Sequence, residues 1–340
     1  MKLDAALAVE PQQMAQAGMI ARAAEAVGFA GLWAAETRHN SFLPLLLAAE
    51  HSSRIELGTA VAIAFPRSPM VMAQLAWDLQ AFAQGRFILG LGTQVKAHIE
   101  RRYSVPWQPP VARLRDYIGA LRAIWGAWQA GQRLEYRGQF YQHTLMTPFF
   151  NPGPIAHPDI PIYIAGVNAG LARLAGETCA GFHVHPFHSA TYLRQIVQPQ
   201  IAHGAMQAGR DPADVTVATS VFVISGPDVR TMDSMRQFVR EQIAFYASTP
   251  SYRIVLAQHG WEATGERLSK LAADRRWNEM AALVDDDMLA QFAVEAPPEQ
   301  LGTALRARYA GLVDRICPYL PYAPGPTDDL WRMVAAQLQA

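Results

Sequence analysis

Cysteine is scarce: Cys179 and Cys317 are the two thiols in 340 residues. That excludes a disulfide scaffold and a Cys-x-x-Cys metal site, and it suits two buried thiols in a reducing compartment. Neither sign of charge dominates, with Lys plus Arg and Asp plus Glu each totalling 29. A balanced chain lacks the excess of cations that non-specific nucleic-acid binding needs, although a local basic pocket for a phosphate stays open. No apolar run reaches the roughly twenty residues that span a bilayer. The N-terminal apolar stretch, about seven residues interrupted by Asp4 and followed by Glu10 and Pro11, is too short for a signal sequence and suits a first strand. A cytoplasmic protein with no nucleic-acid or membrane partner is expected.

What is present is apolar material, 51% of the chain, in an ordered rhythm. Short apolar runs predict strands at 2–8, 31–35, 55–63, 86–92, 161–166, 180–185, 214–224 and 312–320. Between them, helical spacing predicts helices at 12–27, 42–51, 69–83, 168–177, 189–208 and 228–247, and one from near Pro298. Gly28 is a natural helix stop and Pro69 an ordinary helix start. Eight strand–helix units in series mean parallel strands with right-handed crossovers, which close most naturally into a (β/α)8 TIM barrel. An open doubly wound sheet is the competing arrangement. The whole of 1–340 reads as a single domain with two excursions. One, at about 94–160, holds a loop, a helix at about 110–129 and a hairpin in RLEYRGQFYQH. The other, at about 248–297, holds several short helices. Long excursions after strands build the active-site walls of a barrel; a dimer surface is the other use for 248–297.

Chemistry is expected where strands end. Glu36, Thr37, Arg38 and His39 follow the second strand, Thr93 and Gln94 the fourth, and His185 and His188 the sixth. Gly166-Val167-Asn168-Ala169-Gly170 joins a strand to a helix, so its amides and the helix dipole could hold a phosphate; equally, Asn168 could simply cap the helix. His183 and His185 lie on one side of a strand, as in the His-x-His pairs of metal-dependent barrel hydrolases. Such a site wants carboxylates at strand ends, and Asp314 lies at the beginning of strand eight. Packed or hydrogen-bonded histidines are the better reading, and no metal is expected.

The segment IELGTAVAIAFPRSPMVMAQLAWDLQAFAQGRFILGLGTQ (55–94) resembles the luciferase-like monooxygenase superfamily, especially its deazaflavin-dependent branch. GFAGLWAAE (28–36) and PIYIAGVNAGLARLAGETCAGFHVHPF (161–187) are similar to two further blocks of that family. The resemblance spans about 1–320 and is weakest in 248–297. It implies an enzyme that binds coenzyme F420, or alternatively FMN, in the barrel mouth. Gly166, Val167 and Asn168 would meet the phosphate, Thr93 and Gln94 would lie beside the ring, and Glu36 would be an acid near it. Ala60-Val61 falls where the family often places a non-prolyl cis peptide behind the ring. Several members carry a catalytic histidine directly after the acid, where this chain has Thr37. His39 and His185 are the candidates to replace it, since imidazole suits proton transfer near neutral pH.

The segment 90–107 looks more like the deazaflavin branch, which makes hydride transfer between F420 and a small organic substrate the leading expectation. Arg101, Arg102 or Arg113 could hold an anionic group or the cofactor tail, against the plainer reading of each as a solvated or helix-face charge. The rivals are an FMN monooxygenase served by a separate flavin reductase, a metal-dependent barrel hydrolase, and a binding relative that has lost catalysis. A homodimer is the family expectation.

Overall fold

Each predicted strand forms, and each is parallel to its neighbours. The computed structural model describes residues 1–339. The barrel strands are β1 Lys2–Leu7, β2 Gly31–Ala34, β3 Glu56–Thr59 continuing as Ala62–Ile63, β4 Phe87–Gly92, β5 Ile162–Gly166, β6 Gly181–Val184, β7 Thr216–Ile224 and β8 Arg315–Pro318. They pair in chain order and β8 returns to β1, which closes the sheet. The surrounding helices are α1 Gln16–Val27, α2 Phe42–Glu50, α3 Pro69–Phe82, α4 Pro110–Ala130 and α5 Ala169–Thr178. Then follow α6 (Ala190–Tyr192, a π turn at Leu193–Val197, and Gln198–Gln207), α7 Leu301–Tyr309 and α8 Asp328–Gln339. Local chemistry sets their ends. Ser68 accepts from the Val71 amide ahead of Pro69, and Gly28 closes α1 with φ of 103°.

The barrel interior is filled by Trp33, Ile88, Tyr163 and Ala218. Trp33 fits because Gly58 faces it: a Cβ there would lie 2.2 Å from the indole. Below the indole, Trp33 Nε1 donates to Asp4 at 2.8 Å, and Arg315 grips both Asp4 oxygens at 2.8 Å. Both ions are buried, and they are tolerated because their hydrogen bonds are met.

β3 is interrupted. Gly58 pairs with Ile88 and Ala62 with Leu91, so four steps on β3 oppose three on β4. The extra residue makes a bulge at Ala60–Val61, whose peptide bond is cis. Gly90 allows it to sit close, because a Cβ at that position would fall 1.8 Å from the Thr59 carbonyl oxygen.

Four features differ from the sequence expectation. The helix Val229–Ala247 is not the barrel helix of the seventh unit. The nine-residue β7 overshoots the rim and pairs there with a short strand, Ala293–Glu295, so the helix starts above the barrel and its far end descends onto the mouth. The seventh barrel helix is α7. A short helix, Lys96–Arg101, occupies what reads as loop, and α8 was not anticipated. β8 begins at Arg315; Asp314 precedes it and accepts from the Val217 amide at 2.7 Å. The hairpin forms as Tyr136–Arg137 against Gln142–His143.

Candidate active site

A cavity of about 1040 Å3 opens at the C-terminal end of the strands. A second, of about 990 Å3, lies at the opposite end around Lys2, Glu56 and Asp314. The Asp4–Arg315 pair separates them, Asp4 bordering the upper cavity and Arg315 the lower. Barrel chemistry belongs to the C-terminal end, because every strand delivers its following loop there.

Trp33 and the Ala60–Val61 bulge border this cavity. The bulge is tied to β2 from above. The Glu36 amide donates to the Val61 carbonyl at 3.1 Å, and the Glu36 carboxylate accepts from the Ile63 amide at 2.7 Å. Arg67 closes a two-pronged pair on the same carboxylate at 2.6 and 2.8 Å and also donates to the Ile63 carbonyl. Glu36 therefore accepts three bonds, one on Oε1 and two on Oε2, which tie the bulge to β2.

His39 stands at the mouth, its Nε2 3.1 Å from Glu10, which also accepts from Arg38 at 2.8 Å. Glu10 was not among the sequence candidates, yet it follows β1 directly and so had to be a rim residue. Thr37 uses its carbonyl to receive Arg102. Arg113, expected to hold an anion, is buried instead. It donates to the Tyr141 hydroxyl and the Pro106 carbonyl and lies over the Phe65 ring at 4.4 Å, so it braces the first excursion. Arg101 is exposed on the short helix.

Thr93 and Gln94 border the cavity beyond β4. Gln94 adopts φ of 55° and turns its side-chain oxygen onto the Val95 amide at 3.0 Å. At the end of β5, the Val167 carbonyl receives the Tyr192 hydroxyl. Asn168 is extended at the N-cap of α5 but makes no side-chain cap, so the capping alternative is not realised. The start of α4 is adjacent: Pro110 borders the same cavity, and a Cβ on Gly170 would sit 3.2 Å from Val111. Two helix N-termini thus share one edge of the cavity, where partial positive charge accumulates.

β6 carries the histidines. His183 lies edge-on to Trp33 at 4.8 Å, and its Nε2 is buried without a partner. His185 is held between Tyr246 and Tyr252, with ring centres at 4.7 and 4.6 Å. The Phe187 amide donates to its Nδ1 at 3.1 Å, so the neutral ring carries its proton on Nε2. Burial, with a smaller push from His188, lowers the His185 pKa to about 3; burial and then Arg315 lower His183 to about 3. Neither ring is an imidazolium at neutral pH. His188 bonds the His185 carbonyl at 2.9 Å and the Tyr309 hydroxyl at 3.1 Å, which makes it structural. Among the described residues no group of three or more His, Cys, Asp or Glu is placed to hold a metal. Tyr246 escaped sequence reasoning because its helix reads as an outer barrel helix, whereas Tyr252 lies in the excursion 248–297 that was expected to wall the site but was not itself singled out.

The chain is thus a parallel barrel whose mouth offers a bulged third strand, two adjoining helix starts and a largely apolar cavity. The chain belongs to the luciferase-like monooxygenase family, whose model matches residues 2–315, a family of oxidoreductases and monooxygenases. It is similar to the uncharacterized protein Rv1360 of Mycobacterium tuberculosis, at 46% identity over 318 residues, 94% of this chain and 93% of that one. Its fold is similar to the coenzyme F420 dependent tetrahydromethanopterin reductase of Methanopyrus kandleri, at a TM-score of 0.78 and 21% identity over 99% of this chain and 97% of that one. It is also similar to the oxygenating constituent of 3,6-diketocamphane monooxygenase of Pseudomonas putida in complex with FMN. There the TM-score is 0.70 and the identity 14%, over 99% of this chain and 98% of that one. Among the described residues no helix is long and apolar enough to cross a membrane.

Proposed function

We propose that this protein is an F420-dependent oxidoreductase that moves hydride between the coenzyme and a small organic substrate. The observation that carries the reading is the arrangement of the bulge at Ala60–Val61 beside two helix starts on one cavity. The residues suit a flat ring with an anionic tail. Ala60, Val61, Thr93 and Gln94 would flank the ring. Gly166, Val167 and Asn168, with the uncapped first turn of α5, would receive a phosphate. When bound, the deazaflavin supplies the ring that accepts or releases hydride. The chain's own groups do the rest. Glu36 and Arg67 hold the bulge, and His39 with Glu10 exchanges protons with solvent at the mouth. His185 offers a neutral N–H.

The stronger fold likeness to the F420 dependent reductase than to the FMN complex favours the deazaflavin, at TM-scores of 0.78 against 0.70. The similarity of 90–107 to the deazaflavin branch points the same way. An FMN monooxygenase with a separate reductase is the competing reading. Anaerobic equilibrium titration with each cofactor, followed by its visible absorbance, distinguishes the two. Saturable perturbation by F420 and a much weaker response to FMN are expected. Preferential FMN binding would transfer the assignment to the monooxygenase, and no response to either would remove the proposal. A homodimer belongs to the same proposal and is checked by the solution mass.

A further inference from the structure

The part of the cavity that follows β6, β7 and β8 is built differently from the rest. It consists of His185, Tyr246, Tyr252 and Tyr319. Its hydrogen-bond state can be read atom by atom. Tyr319 donates to Gln242 at 3.1 Å, so in the 2.8 Å contact between the two hydroxyls Tyr246 is the donor. Both protons are committed. His185 Nδ1 is filled by the Phe187 amide, which leaves Nε2–H free. Among the described residues the Tyr252 hydroxyl has no protein partner at hydrogen-bond distance. Two neutral donors, one imidazole N–H and one phenol O–H, therefore stand on an aromatic wall.

The charges around the cavity are spoken for. Asp4 is held by Arg315, Glu36 by Arg67, and Glu10 by Arg38 and His39. Lys96 lies out at the mouth, its side chain 64% exposed and near Glu100. No cation on the wall can pair with an anionic group, and an unpaired anion moved there from water meets a large desolvation cost.

We infer that the substrate is an uncharged compound with a flat or bulky apolar body and one acceptor oxygen, held by His185 Nε2–H and Tyr252 O–H. This deepens the proposed function and rests on the same cavity, but the wall binds its ligand without help from the cofactor. A carbonyl or ether oxygen accepts from such donors; a carboxylate of the same shape does not suit a wall without a cation.

The test is equilibrium binding to the intact protein by ligand-observed NMR. The probes are acetophenone, benzoate and ethylbenzene. Acetophenone should bind about tenfold more tightly than each of the other two, the worth of one neutral hydrogen bond or somewhat more. His185→Phe keeps a flat ring between the tyrosines and Tyr252→Phe removes a single hydroxyl. Each should weaken acetophenone severalfold and leave ethylbenzene unchanged. Equal or tighter binding of benzoate overturns the inference. So does an absence of acetophenone binding, or indifference to both substitutions. F420 titration of the same samples reads the cofactor proposal separately. Protein that selects the ketone but ignores F420 refutes that proposal alone, and protein that binds F420 but not the ketone refutes this one alone.

Discussion

Arg67→Met removes the cation that holds Glu36 and leaves a carboxylate facing the bulge with one amide for company. The side chains of the pair are 10% and 17% exposed, and the two guanidinium bonds are short, at 2.6 and 2.8 Å. Breaking a fully buried pair costs about 3–5 kcal/mol, because the surviving ion is stranded. Residual solvent and the retained Ile63 amide bond place this case near the lower end, about 3 kcal/mol. Glu36→Gln keeps an acceptor for Ile63 but strands Arg67 instead, while the double substitution strands neither ion. A double-mutant cycle by urea denaturation should therefore show coupling of about 2 kcal/mol. F420 affinity should fall with Arg67→Met as the bulge loosens and recover partly in the double variant. A midpoint for Arg67→Met within about 0.5 kcal/mol of the parent, with no coupling, would show that the pair does not position the bulge.

Acid should destabilise the fold through β6. Burial holds His183 and His185 near 3 and His188 near 4, against about 6.5 when unfolded, so the unfolded chain takes up protons first. Stability is full above pH 6.5 and falls as pH drops toward 4, by at most about 4 kcal/mol for the three together at pH 5.5; a melting temperature flat from pH 7 to 5 would contradict the burial. Gly90→Ala should abolish the close approach at the bulge, since its Cβ would overlap the Thr59 carbonyl. Loss of stability and of F420 binding is expected, and unchanged melting would refute the packing. Cys179 is fully buried, which pushes its thiol up to about 12. It should resist a thiol reagent at pH 8 until the protein is unfolded, and rapid native labelling at that residue would show an opening the fold does not contain.

The barrel was legible because its signals are local and repeated. Runs such as RFILGLG stop at glycines and charges, and all eight strands lie within a few residues of expectation. The bulge was legible through resemblance alone; nothing in the composition of GTAVAI marks an extra residue. The helix Val229–Ala247 was misplaced because its periodicity is ordinary, and what sends it over the mouth is the overshoot of β7 and its pairing with Ala293–Glu295. With it went Tyr246. Partners set by tertiary packing were equally hidden. Arg67 stands far from Glu36 in sequence, and Arg113 looked free until Tyr141 and Phe65 were seen around it.

Whether this mouth is a coenzyme site is decided by a structure of the protein solved with F420. The ring should lie against Ala60–Val61 and the phosphate at the start of α5, with His185 still between Tyr246 and Tyr252. A coenzyme lodged in the cavity at the opposite end, or a ring on the far side of the mouth from the bulge, would contradict that placement.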